Sequence, residues 1–205
     1  MVARTVNIVV VGVGGQGLLT LSRILAEAAM ARGLDALAAE THGLSQRGGT
    51  VIVHVRIGDE VHAPLIPLGG ADYILSTELS ETVRYLSYAN RSTKVITNTK
   101  VILPALPGLV KPIEPREVLE WLRSKVGKGN LYTIEASDIA AELGAPQSTN
   151  MVMLGAATPF LKDVLGLGYL EKRVARVGRG KIRELNLEAF RRGISYVCER
   201  YGACL

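Results

Sequence analysis

The sequence predicts a three-layer α/β/α domain on a mostly parallel, mixed sheet that carries one β-hairpin and ends in a helical C-terminal tail. Three observations lead there. The core must be aliphatic, because hydrophobic residues make up 48% of the 205 and aromatic ones only 5%, and such a mixture suits strands buried on both faces. Continuous β-branched runs alternate with stretches of helical periodicity. A cluster of glycines stands where the first run gives way to the first helical stretch.

The elements follow in order. Val6 to Val11 is a β-branched run closing on Gly12-Val-Gly-Gly-Gln-Gly17, after which Leu18, Leu21, Ile24, Leu25 and Ala28 recur at helical spacing. Gly33 ends that helix, and Leu34 to Ala39 reads as a second strand. A polar, glycine-bearing loop follows, Glu40-Thr-His-Gly-Leu-Ser-Gln-Arg-Gly-Gly49. Thr50 to Ile57 alternates apolar and polar residues, Gly58-Asp59 supplies a turn and Glu60 to Ala63 continues, so the hairpin is expected here. Tyr73 to Ser76 reads as a strand, Glu78 to Tyr88 as a helix, and Lys94 to Thr97 as a strand ending at Asn98. Pro104, Pro107, Pro112 and Pro115 make the next stretch a rigid extended excursion, before a helix from Arg116 to Val126. Leu131 to Glu135 is the last strand, and Ser137-Asp138 caps a helix over Ile139 to Leu143. Ser148 to Leu165 is an apolar helix interrupted by Pro159, hydrophobic on most sides and hence central. Residues 169–201 form two basic helices about a Gly178 to Lys181 loop. With no repeat or break in composition, residues 1–205 read as one domain, with 168–205 as a basic helical tail.

Charge is unevenly placed. The net charge is +5, and between Lys162 and Arg200 ten basic residues face five acidic ones, so the whole excess is C-terminal. No aromatic residues alternate with these cations as a stacking platform for bases requires, so a solvated helix face is expected and nucleic acid is not the expected partner. The two cysteines, Cys198 and Cys204, lie outside any Cys-x-x-Cys pattern. They cannot form a disulfide framework, and two thiols cannot hold an iron–sulfur cluster, so none is expected on this chain alone. The first residues lack an apolar signal region, and no uncharged apolar run reaches the roughly 18 residues of a membrane span. A cytoplasmic protein without membrane contact is expected.

Gly12, Gly14 and Gly17 satisfy G-x-G-x-x-G directly after a buried strand and before a helix, which makes the fold Rossmann-like in logic. There the first glycine permits the tight turn, the second lets backbone N–H groups approach a pyrophosphate, and the third packs helix on strand. Glu40 stands 23 residues beyond Gly17, where a ribose-binding acid belongs, so a stand-alone NAD(P)-binding protein is the alternative reading. Gly15 and Gln16 depart from that pattern, and Glu40 runs into a loop instead of a helix. Arg47, flanked by Gly48, offers a fork of donors to a carboxylate or phosphate, with Thr41, Ser45 and Gln46 beside it. His42 in the same loop has no nearby Asp to orient it and no G-x-S-x-G elbow, so it is not read as catalytic. Asn98 and Asn150, at a strand end and a helix start, cap or turn, and both positions fall toward the cleft beyond the strand C-termini. The three histidines, His42, His54 and His62, lack the carboxylate and thiol partners of a metal site, and none is expected.

Four stretches together carry a resemblance: Val11-Gly-Val-Gly-Gly-Gln-Gly-Leu-Leu-Thr-Leu-Ser, Glu40-Thr-His-Gly-Leu-Ser-Gln-Arg-Gly-Gly-Thr-Val, Asn150-Met-Val-Met-Leu-Gly-Ala and Asn186-Leu-Glu-Ala-Phe-Arg-Arg-Gly. In this order the chain resembles the gamma subunit or domain of 2-oxoacid:ferredoxin oxidoreductases. The resemblance implies an enzyme subunit that is not catalytic alone. It implies a larger catalytic alpha subunit bearing thiamine diphosphate, magnesium and 4Fe-4S clusters, a 2-oxoacid substrate, and ferredoxin as electron acceptor. A free chain of this size implies the type acting on aryl pyruvates such as indolepyruvate, with pyruvate or 2-oxoglutarate as alternatives. Coenzyme A at the interface would meet Gly12, Gly14, Gly15, Gln16 and Gly17, the Thr41, Ser45, Gln46, Arg47 and Gly48 loop, and Asn98 and Asn150. No cofactor is expected on this chain by itself.

Overall fold

The computed structural model describes residues 5–42, 48–102 and 114–205. Six strands form one sheet in the order β2-β3-β1-β4-β5-β6. Strand β1 is Val6–Val13, β2 Asp35–His42, β3 Thr50–Gly58, β4 Ala71–Ser76, β5 Ala89–Asn98 and β6 Leu131–Ile134. The β1, β4, β5 and β6 strands run parallel, and β3 pairs antiparallel with both β1 and β2. The sheet is therefore mixed and mostly parallel, as expected.

Because side chains alternate along a strand, β1 feeds two cores. Ile8 and Val10 join Leu21, Leu25, Met151, Val152 and Phe190 in the larger one, while Val9 and Val11 join Ile52, Ile66, Ile74 and Val95 in the smaller. Helices α1 (Leu18–Ala31), α4 (Ala136–Glu142), α5 (Thr149–Leu165), α6 (Leu167–Val174) and α7 (Lys181–Tyr201) contribute to the larger core. The opposite face receives Ile66, the turn at Leu86–Tyr88 and Val126, just beyond α3 (Pro115–Lys125). A short helix, α2 (Leu79–Arg84), follows β4.

Several sequence expectations are corrected. The hairpin is made by β2 and β3, joined through residues 43–49, and residues 60–63 carry no strand. Pro64 and Pro67 break the run that follows β3, since proline cannot donate to a ladder, and the Ile66 N–H goes to Nδ1 of buried His54 at 3.3 Å. Helix α4 starts at Ala136 without a cap from Ser137 or Asp138. Its leading N–H groups, of Ala136 and Ser137, donate to Oδ1 of Asn98, one strand away, at 3.1 and 3.4 Å.

The helical C-terminal tail is present, and it is built into the core. Ala189, Phe190, Gly193 and Val197 of α7 are buried, and α7 lies so close to α5 that a Cβ on Gly155 or Gly193 would overlap the other helix's backbone. Pro159 sits inside α5 without ending it. Finally, Cys198 and Cys204 form a disulfide. Gly202 in the left-handed region (φ 67) turns the chain back at the end of α7, and the Ala203 N–H donates to the Val197 carbonyl at 3.3 Å, which brings the two cysteines together. No helix among the described residues is long and apolar enough to cross a membrane.

Candidate functional site: the glycine turn and its supports

The C-terminal ends of β1, β4 and β5 meet the start of α1 and the start of α5, the place where open α/β sheets gather ligands. Here the turn between β1 and α1 is closed on itself. The Gln16 side chain folds back: its Oε1 accepts from the Val13 N–H at 2.8 Å and from Thr77 Oγ1 at 2.6 Å, and its Nε2 donates to the Thr77 carbonyl at 3.2 Å. The Gln16 N–H donates to the Val13 carbonyl at 3.2 Å, and the Gly14 N–H to the Gly49 carbonyl at 2.8 Å. Gly48 returns an N–H to the Gly14 carbonyl at 3.5 Å, so the second glycine-rich segment lies beside the first.

The glycines divide by what surrounds them. A Cβ at Gly12 would overlap Thr77 Oγ1, and one at Gly17 would overlap the Asn150 side-chain amide. Gly12 is glycine for packing, and Gly17, at φ +73, for its left-handed backbone as well as for packing. Gly15 (φ +100) and Gly48 (φ +73) have nothing within 4 Å of where a Cβ would sit, and form the open lip of the turn. Beyond the lip, the first N–H groups of α1 lack intrahelical partners, and the helix start carries partial positive charge.

Asn98 is buried at the end of β5 and joins three elements. Its Nδ2 donates to the Thr77 carbonyl at 2.9 Å and to Ser137 Oγ at 2.8 Å, while Oδ1 takes the N–H groups at the start of α4. Asn150 Nδ2 donates to the Gly17 carbonyl at 3.1 Å, fixing α5 to the start of α1. The expected residues Gly12, Gly14, Gln16, Gly17, Gly48, Asn98 and Asn150 are thus brought together at this turn, with Gly15 at its open lip. Thr41 is exposed on edge strand β2 and stands apart from it. Ser45, Gln46 and Arg47 lie outside the described residues.

Sequence reading missed Thr77, the acceptor and donor on which Gln16 and Asn98 both converge, and two buried carboxylates. Glu78 caps α2, accepting from Ser80 Oγ and the Glu81 N–H, both at 2.7 Å, and takes the Ile102 N–H at 2.9 Å. Glu81 accepts from Thr50 Oγ1 and from Arg84 Nε at 3.2 Å. The available signal was Ser76-Thr-Glu78 directly after a buried strand, which marks a helix cap.

Glu40 does not occupy a ribose-binding position. β3 is wedged between β1 and β2, which puts the strand of Glu40 two spacings, about 10 Å, from the strand that carries the glycine turn. A cavity of about 510 Å³ lined by Arg32, Asp72, Tyr73, Lys94 and Asp163 opens at the opposite, N-terminal ends of the parallel strands, away from this network.

A Rossmann-like α/β domain with a self-bonded glycine turn is the class that fold and site define. The chain belongs to the pyruvate ferredoxin/flavodoxin oxidoreductase family, whose model matches residues 7–196. It is 44% identical over 91% of its length to the indolepyruvate oxidoreductase subunit IorB of Archaeoglobus fulgidus, covering 92% of that protein. It is 37% identical over 94% of its length to the subunit of the same name from Methanothermobacter thermautotrophicus, covering 98% of it. The fold matches the gamma subunit of a keto/oxoacid ferredoxin oxidoreductase from Geobacter sulfurreducens with a TM-score of 0.68, at 24% identity, over 95% of this chain and 99% of that one.

Proposed function

We propose that the chain is the small subunit of a 2-oxoacid:ferredoxin oxidoreductase acting on aryl pyruvates such as indolepyruvate. The observation that carries this is the 44% identity, across nearly the full length of both chains, to a subunit named for that substrate. Thiamine diphosphate, magnesium and 4Fe-4S clusters belong to the larger subunit in this reading: two cysteines in the whole chain cannot supply the four thiolates of a cluster. A cytoplasmic location goes with that assembly.

The chain's own contribution is a wall for coenzyme A. That cofactor supplies the thiol that takes the acyl group and carries phosphates that need donors. Much of the glycine turn is already bonded internally, so the residues that fit are those of the open lip, Gly15 and Gly48, with the start of α1 behind them. Gln16, Thr77, Asn98 and Asn150 hold that lip in place without touching the ligand. Arg47, next to Gly48 in sequence, supplies the cation.

The experiment is reconstitution with the larger subunit, followed by indolepyruvate-dependent, coenzyme A-dependent reduction of ferredoxin. The pair is expected to turn over and the isolated chain is not. Turnover by this chain alone, or a pair that uses pyruvate but not aryl pyruvates, refutes the assignment. Titration of the complex with coenzyme A tests the wall, and unchanged affinity in Arg47→Ala and Gly15→Val together refutes it.

A further inference from the structure

The basic residues of the last two helices converge on the turn between α6 and α7. Arg176, Arg179, Lys181 and Arg183 are all exposed. Among the described residues none of the four is in an ion pair, whereas neighbouring Arg173, Arg191 and Arg192 are paired with Glu27, Glu171 and Glu142. In their midst stands Ile182, 53% exposed. It is held in place: a Cβ on Gly178 (φ +82) would lie 2.6 Å from Ile182 Cγ2 and 3.1 Å from its Cβ, so the side chain rests directly on the turn backbone. An exposed apolar side chain packed on the turn backbone and flanked in sequence by cations without ion-pair partners among the described residues combines the two features of an interface, an apolar centre and a charged rim.

This turn is fastened to the end of the molecule that carries the glycine turn. Asn186 Nδ2 donates to the Val177 carbonyl at 3.1 Å, and Ser148 Oγ donates to Asn186 Oδ1 at 2.7 Å. Two residues on, Asn150 holds the Gly17 carbonyl. Ser148, Asn150 and Asn186 are all buried. The basic turn and the start of α1 are thus set by the same segment, the start of α5.

We infer that the α6–α7 turn is a docking surface for a carboxylate-rich face of the larger subunit, with Ile182 as its apolar centre. The inference rests on the reading of this chain as a subunit. Arginine forks suit carboxylates. The isoleucine at the centre and Glu184 beside Arg183 fit a protein surface and oppose a polyphosphate backbone, and no aromatic residue stands between Arg176 and Arg183 for base stacking.

The test measures assembly of the full chain with the larger subunit, by titration between about 50 and 500 mM salt. Arg179→Glu combined with Arg183→Glu is expected to weaken assembly by about tenfold or more and to flatten its salt dependence. Ile182→Asp should weaken it comparably. Arg123→Glu with Lys125→Glu on α3, an equal change of charge elsewhere, should leave it intact. Because the substituted Arg and Lys side chains are exposed, melting curves of the charge variants should match the parent, and the charge variants therefore decide the question if Ile182→Asp loses stability through its contact with the Gly178 turn. Unchanged assembly in the turn variants overturns the docking surface and leaves the subunit reading standing. Equal weakening by the α3 control overturns it in favour of diffuse attraction. Failure of the unsubstituted chain to assemble overturns both. Loss of affinity for a duplex DNA oligomer, with assembly intact, assigns the turn to nucleic acid and also overturns the proposal.

Discussion

Gly155→Ala tests how tightly the C-terminal helix is built into the core. A Cβ there would lie 1.9 Å from the Phe190 carbonyl oxygen and 3.2 Å from Gly193 Cα. Ordinary contact begins at 3.4 Å, so α5 and α7 would have to part by about 1.5 Å. The obstacle is backbone, which cannot rotate away. Parting the helices opens a gap beside Phe190, Leu154 and Val197, all fully buried, and forfeits a large share of their dispersion contacts. Overpacking of this kind costs about 3 kcal/mol at the upper end, and alanine's better helix propensity offsets about 1 kcal/mol. The net loss is about 2 kcal/mol, or roughly 4–8 °C in Tm for a chain of this size. Thermal unfolding followed by circular dichroism reads it. Gly168→Ala on α6, where nothing lies within 4 Å, is the control and should leave Tm unchanged or slightly raised. Gly193→Ala meets the Val152 carbonyl oxygen at 2.0 Å and should cost a similar amount, but the double variant should lose less than the sum, because one separation relieves both overlaps. A Gly155→Ala protein as stable as the parent would refute the close helix contact and return α7 to the periphery.

Three further outcomes are expected. Asn98→Ala strips buried partners from the start of α4 and from Ser137, and chemical denaturation should show a loss of about 2 kcal/mol; a change below about 0.5 kcal/mol would mean the network is not closed. Cys204→Ser removes a cross-link spanning six positions, and the chain-entropy relation gives a loss of about 2 kcal/mol; intact mass after alkylation without reductant checks that the parent has no reactive thiol. Burial holds the His54 imidazole below its ordinary value of 6.5, so the unfolded chain takes up a proton that the folded one refuses. The neutral form's contribution is fully present above pH 6.5 and is lost as pH falls from there through the lowered value of the folded state. Stability measured against pH should therefore decline below 6.5 in the parent, and less steeply in His54→Gln; equal slopes would show that His54 is not the group responsible.

The local pattern determined the elements and the turn chemistry. Uninterrupted β-branched runs such as Val9-Val-Val11 demanded buried strands, and Gly12 to Gly17 demanded a tight strand-to-helix turn, because those preferences act over a few residues. The position of Asn98 at a strand end was legible for the same reason. Strand order was not. That β3 lies between β1 and β2 follows from which edges pair across tens of residues, and no local period encodes that choice. The same limit explains the hairpin: Thr50 to Ile57 announced a strand, while its partner lay before it in the chain and not after. The partnerships of the site were equally hidden. Gln16 reads as a polar residue at a loop mouth until Thr77, 61 positions away, takes its side chain. The burial of α7 rests on a stripe of small and apolar residues, Ala189, Phe190, Gly193 and Val197, whose meaning depends on another helix coming close enough to touch their backbone. Sequence settled what each segment becomes, and tertiary packing decided which segments meet, since hydrogen bonds and contacts between distant residues are chosen by the fold as a whole.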